Sequence, residues 1–362
     1  MNSLRETTEF SAEPSKIPAS VRIHPFTSRI AESWDQFVLS QATGSLFHLT
    51  SWKRAMEATY GFHACYFYSE RAGEITGVAP VFSISNWIMG RCLLSTPFAV
   101  YGGICAADAE SETALLRHLK ELARTEEVDY LELRYRQCDS LPEFSLNQRY
   151  VTFTTPLSPD HDAQLKRLPR DTRYMIRKAM KAGLRCQHGL DQLDAFYRLF
   201  TYSMRRLGTP VFPRALFENL IREFRDSIDL LLVYASEKPV TGVFSFFFRD
   251  TVLPYYAGAS PEANALAANN LMYWELMKHA AQQGMRHFDF GRSKKGTGSY
   301  AFKTQWNMNF EPLDYQVHLV RRKDLPNFSP INPKFKLATR VWQCMPLWLT
   351  TLIGPPVVKW FP

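Results

Sequence analysis

The chain has 362 residues, too long for one ordinary domain and suited to two. Hydrophobic residues make up 46% and aromatic residues 14% of it, which supplies substantial cores and excludes a disordered or fibrous chain. A formal net charge of +8 admits an anionic partner (a phosphate-bearing substrate, RNA or an acidic membrane surface) without choosing among them.

The first twenty residues, MNSLRETTEFSAEPSKIPAS, are polar and carry glutamates where a signal peptide needs an apolar run, so residues 1–20 read as a disordered leader. No stretch is long and apolar enough to cross a bilayer, and the expected location is the cytoplasm. Cys65, Cys92, Cys105, Cys138, Cys186 and Cys344 are scattered, with no C-x-x-C pair and no histidine at zinc-ligand spacing. Reduced, mostly buried thiols and no metal site are expected.

A diverged internal repeat organises the body of the chain. The first copy runs from His63 through HACYFYSERAGEITGVAPVFSI to Tyr101-Gly102-Gly103, then a helical stretch ALLRHLKELA, then a strand YLELR ending at Arg134. The second begins at Asp229 with DLLLVYASEKPVTGVFSFFF and continues to Tyr256-Ala257-Gly258, a helical stretch NLMYWELMKHAA and a strand HFDFGR ending at Arg292. A Thr-Gly-Val and a Tyr-x-Gly recur at matching places. Leu115, Leu119, Leu122 and Ala123 have helical spacing, while Leu131 and Leu133 alternate with Glu132 as in a strand. The reading is α/β (α+β): two tandem units, 21–155 and 156–325, each a mixed, mostly antiparallel sheet flanked by helices, and a tail over 326–362.

The second unit includes a basic helical segment, 163–208. Helical spacing from Arg170 puts Arg170, Arg173, Arg177 and Lys181 on one face and Met175, Ile176 and Ala179 on the other, up to Gly183. Few acids balance that stripe, which makes it either a phosphate contact or a solvated face. A second amphipathic helix stops at Gly208. The tail mixes aromatics, leucines and cations around prolines; it either packs back on the body or lies on a lipid surface, giving peripheral contact at the inner membrane face.

The richest stretch is FDFGRSKKGTGSYAFKTQWN, Phe288 to Asn307. It delivers Asp289 and Arg292 to a loop holding Lys294, Lys295 and glycines that let backbone N–H groups approach an anion. Threonine stands where a P-loop needs lysine, and no helix clearly follows. Nucleophile elbow, H-E-x-x-H and dinucleotide fingerprints are absent, and ASPEANALAANN is too poor in glycine for a standard coenzyme A clamp.

The repeat, the intervening basic helix and the final Gly-x-Tyr-x-Phe-Lys resemble the Fem transferases and the related FemAB-type proteins found with exosortase and exopolysaccharide gene clusters. The resemblance spans about residues 30 to 325. It implies two tandem units of N-acetyltransferase (GNAT) fold and transfer of an aminoacyl group from aminoacyl-tRNA to a peptidoglycan precursor. By similarity, Lys303 matches a lysine that assists at the donor ester, Arg214 falls where an arginine contacts acceptor phosphates, and Lys53 and Arg54 in FHLTSWKR are further binding candidates. With Asp289 or an acceptor phosphate as proton acceptor, Arg173, Arg177, Arg292, Lys294, Lys295, Tyr256 and Tyr300 complete the expected site. The long tRNA-binding arm of some family members has no counterpart. The donor therefore stays open between aminoacyl-tRNA and an acyl thioester on coenzyme A or acyl-carrier protein, used as co-substrate with no bound cofactor. The expected acceptor is a phosphate-bearing envelope precursor. The rival readings are a thioester-dependent acyltransferase of exopolysaccharide synthesis and a non-catalytic RNA- or lipid-binding protein.

Overall fold

A computed structural model of the chain describes residues 20–325 and 333–362. The expected leader lies outside the described residues. The first unit comprises β1 (Arg22–Pro25), α1 (Ala31–Ser40), α2 (Thr50–Tyr60), β2 (His63–Arg71), β3 (Glu74–Asn86), β4 (Gly90–Ser95), β5 (Cys105–Ala106), α3 (Ala109–Thr125), β6 (Tyr130–Tyr135) and β7 (Ser145–Asn147). After β8 (Tyr150–Pro156) come α4 (His161–Arg167), α5 (Arg170–Lys181), β9 (Arg185–His188), α6 (Leu193–Leu207), α7 (Arg214–Phe224), β10 (Ile228–Ala235), β11 (Lys238–Phe248), β12 (Thr251–Ala259) and α8 (Ala268–Gln282). The chain ends through β13 (His287–Asp289), β14 (Ser293–Lys294), α9 (Gly298–Thr304), β15 (Asn309–Pro312), β16 (Asp314–Leu319), α10 (Pro333–Cys344) and α11 (Leu347–Val358).

The two sheets have one plan. Their orders are β1-β2-β3-β4-β6-β16-β7 and β9-β10-β11-β12-β13-β8-β14, with β5 added on β3 and β15 on β8. Every pairing is antiparallel except β4 with β6 and β12 with β13, which occupy the same place in each sheet. The expected boundary at 155/156 runs through β8, because the sheets exchange strands. β8 leaves the first unit to pair in the second sheet, and β16 returns from the second unit to pair with β6. A parallel pair cannot be closed by a short turn, and helical crossovers through α3 and α8 join β4 to β6 and β12 to β13.

The repeat signatures have packing causes. At Gly77 an added Cβ would come within 2.7 Å of Ser69 and 2.9 Å of Leu115, and at Gly242 within 2.3 Å of Leu232. Leu115, Leu119 and Ala123 are fully buried on α3, and Asp108 caps that helix by accepting from the Ser111 N–H. On α5 the buried residues are Thr172, Ile176 and Ala179, so the helix turns its basic face outward as its spacing predicts. The units meet through one aromatic core: Phe47 and Trp52 near α2 pack against Phe246 and Tyr255 of the second sheet. Asn219 on α7 donates to Thr59 on α2 at 2.9 Å, joining the corresponding helices of the two halves.

Two local expectations change. The strand HFDFGR stops at Asp289 instead of Arg292, because Gly291 takes a φ of 68° and donates its N–H back to Asp289. The loop after it is half regular: β14 pairs with β8, and Thr297 caps the short helix α9 by accepting from the Tyr300 N–H. The tail forms two helices that pack on α6, with Pro355 and Pro356 inside α11.

Gly258 sits where α6 crosses β12, and a Cβ there would lie 2.4 Å from the Phe200 backbone nitrogen and 2.6 Å from the Leu199 carbonyl carbon. Backbone cannot swing aside as a side chain can. Gly258→Val is expected to lower unfolding free energy by about 1–3 kcal/mol, the usual cost of overpacking, read from urea denaturation midpoints at unchanged slope.

Candidate functional site

The seam between the sheets is closed by a buried carboxylate. Asp289 is 2% exposed and accepts from the hydroxyl of Tyr101 in the first unit (2.7 Å), that of Thr152 on β8 (2.7 Å) and the Gly291 N–H (2.8 Å). The chain then bends through residues 290–292, and Lys303 braces the bend. Its ammonium donates to the carbonyls of Phe290 (2.6 Å), Gly291 (3.0 Å) and Arg292 (3.3 Å), reaching back from α9. Burial lowers the Lys303 pKa, Asp289 opposes that and Arg292 adds to it, leaving the group at about 8.

Arg292 projects from the braced bend into a cavity of about 520 Å³ between the halves. Its guanidinium lies 4.7 Å from the Tyr150 ring centre and donates to the Tyr315 hydroxyl at 3.2 Å. Among the described residues no carboxylate pairs with it. Arg134, Arg149, Lys294 and Glu132 also line this cavity, as does Pro362, the last residue of the sequence. Glu132 accepts from Arg134 at 2.8 Å, and Arg134 also donates to the carbonyls of Thr96, Ala99 and Pro362. Burial, with Arg149 nearby, lowers the Lys294 pKa. Much of the apolar lining comes from the tail: Trp342, Val357, Val358 and Phe361. A cavity with a cationic floor and an apolar wall fits an anionic group attached to something greasy.

A second cavity, about 900 Å³, opens on the other side of the seam and is lined by His48, Tyr101, Arg136, Cys138, Asp139, Asp250, Asp289 and Asp314 among others. Arg134 borders both cavities. His48 is not a free base. Its Nε2 lies 2.9 Å from the Gly103 carbonyl, which can only accept, so Nε2 carries the proton and Nδ1 accepts from the Ser45 N–H. Burial pushes its pKa down to about 4, and the imidazole is neutral at physiological pH. Burial, with Glu112 and Asp314 adding, pushes the Cys138 thiol up to about 12, so it carries no nucleophilic thiolate. Burial raises Cys92 and Cys186 to about 12 likewise.

Of the residues expected from sequence, Arg292, Lys294, Asp289 and Lys303 come together at the seam. The others lie elsewhere. Tyr256 is buried in an aromatic cluster with Phe200, Phe212 and Phe217. Tyr300 packs edge-on to Phe153, and Lys295 is exposed. Arg214, at the start of α7, pairs with Asp194 at 2.8 Å and with Glu218. Lys53 pairs with Glu57 at 2.7 Å, and Arg54 with Glu223 at 2.6 Å. Arg173 donates to the carbonyls of Lys166 and Leu168, while Arg177 is exposed on α5. Sequence reading passed over Arg134, Arg149, Tyr150, Tyr315 and Trp342. The repeat held the signal for the first of these, since YLELR ends on Arg134 inside β6 and HFDFGR ends on Arg292 just past β13.

Comparison with known proteins fits this geometry. Residues 166–304 match the model of the acetyltransferase (GNAT) domain. The lipid II:glycine glycyltransferase of Staphylococcus aureus (strain USA300) is 23% identical over 276 residues, covering 70% of this chain and 61% of that protein. The chain is homologous to that glycyltransferase. It thus spans about three fifths of the length of these curated relatives. The crystal structure of FemX superposes with a TM-score of 0.64 at 17% identity, over 88% of this chain and 100% of that one. A tandem GNAT protein from the clavulanic acid biosynthesis pathway gives 0.51 at 11% identity, over 84% and 100%. The fold is two GNAT-like units.

The Lys303 ammonium has a signed pH consequence. In the unfolded chain the group titrates near 10.5 and in the folded chain near 8. Between those values the unfolded chain holds more protons, so this group's contribution to stability rises with pH. Unfolding free energies of wild type and Lys303→Met, measured across that window, should diverge in favour of wild type as pH rises. A flat difference would place the ammonium in water.

Proposed function

We propose that this chain is an acyltransferase of the Fem type. It passes an aminoacyl or acyl group from an activated ester or thioester to an amine or hydroxyl on a phosphate-bearing cell-envelope precursor. The observation that carries this reading is the cationic floor of the cavity between the halves, where Arg292 is met by the phenols of Tyr150 and Tyr315 and pairs with no carboxylate among the described residues. A phosphate or diphosphate satisfies such a floor through charge-assisted hydrogen bonds. Homology to an enzyme named for lipid II and glycine supports an acceptor of this class, and the GNAT-type domain supports acyl transfer over mere binding of RNA or lipid.

The chemistry that suits these residues is direct attack. The thiols of Cys92, Cys138 and Cys186 stay protonated and offer no covalent intermediate. The protein then contributes position and electrostatics. Arg292 holds the acceptor's anion, Tyr150 and Tyr315 fix the guanidinium, and Lys303 fixes the bend that carries it. Lys303 acts here as a positioning residue, with its three donors committed to backbone carbonyls. Charge developing at the donor carbonyl meets the positive field of the Arg292–Lys303 pair.

Purified protein incubated with a lipid-linked or nucleotide-linked envelope precursor, and with charged tRNA or acyl thioesters in turn, should yield a precursor heavier by one acyl group in one donor series. Arg292→Ala should lower kcat/KM about ten- to hundredfold, as for loss of one charge-assisted contact. An equal loss in Arg177→Ala, with Arg292→Ala unaffected, would move the phosphate site to the exposed face of α5. No mass increase with any donor would sink the acyl-transfer reading.

A further inference from the structure

We infer that the helical tail α10–α11 is a docking surface for an anionic lipid bilayer, and that it delivers the cationic cavity to the membrane. The tail has two opposed faces. Inward, Thr339 packs at Gly208, Gln343 donates to the Arg206 carbonyl at 3.0 Å, and Arg205 donates to the Met345 carbonyl at 3.0 Å. Thr350, Gly354 and Val358 continue that face along α11, with Gly354 directly against Val211. Outward, at the same four-residue spacing, stand Leu337 and Val341 on α10 and Trp348 and Leu352 on α11, from 48% to 74% exposed. The indole of Trp87, 77% exposed at the β3–β4 turn, meets Trp360 beyond α11 edge-on at 5.5 Å.

Three features select a bilayer as the occupant. Residues 333–362 carry Lys334, Lys336, Arg340 and Lys359 and no aspartate or glutamate, a charge balance that complements anionic headgroups. Tryptophans with one apolar face and one polar edge favour the headgroup boundary. The geometry also excludes spanning. Each helix has twelve residues, about 18 Å of length against a hydrocarbon core of about 30 Å, and no described helix is long and apolar enough to cross a membrane. Helices of this kind lie in the interface.

The inward side of the tail lines the cavity, which gives the docking surface a use. Trp342, Val357, Val358 and Phe361 share that lining with Arg134 and Arg292. A lipid-linked diphosphate would thus keep its chain along the tail while its anion reaches the arginines. This route rests on the acceptor class proposed above, whereas bilayer docking itself does not.

The test is flotation of the full chain, without donor or acceptor, with vesicles of phosphatidylcholine alone and with added phosphatidylglycerol. Wild type should float with the anionic vesicles, less so at high salt, and remain free of the neutral ones. The double variant Trp348→Glu, Leu352→Glu alters two exposed side chains outside the cavity wall. It should bind anionic vesicles at least tenfold more weakly with an unchanged Tm. Wild type that stays in solution, or a double variant that floats equally well, overturns the inference. So does a wild-type dimer in light scattering that the double variant dissolves, which would make the patch a contact between copies. A chain that floats but transfers no acyl group leaves docking standing and fails only the proposed reaction.

Discussion

The buried Asp289 carboxylate is the constraint on which the site depends. A charge 2% exposed is tolerable only when its lone pairs are met, and here they are met from three directions: the first unit, the exchanged strand and its own turn. Those contacts force the chain to bend at Gly291 instead of continuing as strand. The bend turns Arg292 into the cavity, and the bend's carbonyls in turn demand a donor, which Lys303 supplies. Removing one participant leaves others buried and unpaired, so the group behaves as a unit.

Around that knot the halves are built to one plan but serve different ends. Arg134, inside the end of β6, and Arg292, just past β13, converge on one cavity, yet their surroundings differ. Arg134 is neutralised by Glu132 and tied into carbonyls, and Arg292 is met by phenols.

The architecture was legible from sequence because it rests on local regularities. Alternation in YLELR, helical spacing on α3 and α5, and the recurring glycines each report a physical requirement at their own position. The strand exchange was not legible, since nothing within YVTFTTP or DYQVHL states which sheet it joins; pairing partners far apart in sequence decide it. The site was half legible. Asp289, Arg292 and Lys294 stood out through their motif, and Lys303 through family likeness, while the three carbonyls that its ammonium serves could not be read from a sequence. Arg149, Tyr150, Tyr315 and Trp342 carry no motif and meet only in space, and the pairing of Arg214 with Asp194 and Glu218 was likewise not readable from its motif.

The exchanged strands also set an order of assembly. During synthesis the first sheet has β1 through β6 available early, but its neighbour for β6 is β16, whose residues Asp314–Leu319 emerge after the whole second unit. Until then the β6 edge is an open template, buried in the finished protein and exposed in the nascent one. The ribosome therefore releases a half-closed sheet that waits for about 180 residues of further chain, a long-range closure that slows folding and favours help from a chaperone. Duplicated units joined end to end could mature one after the other; units that have traded strands must finish together.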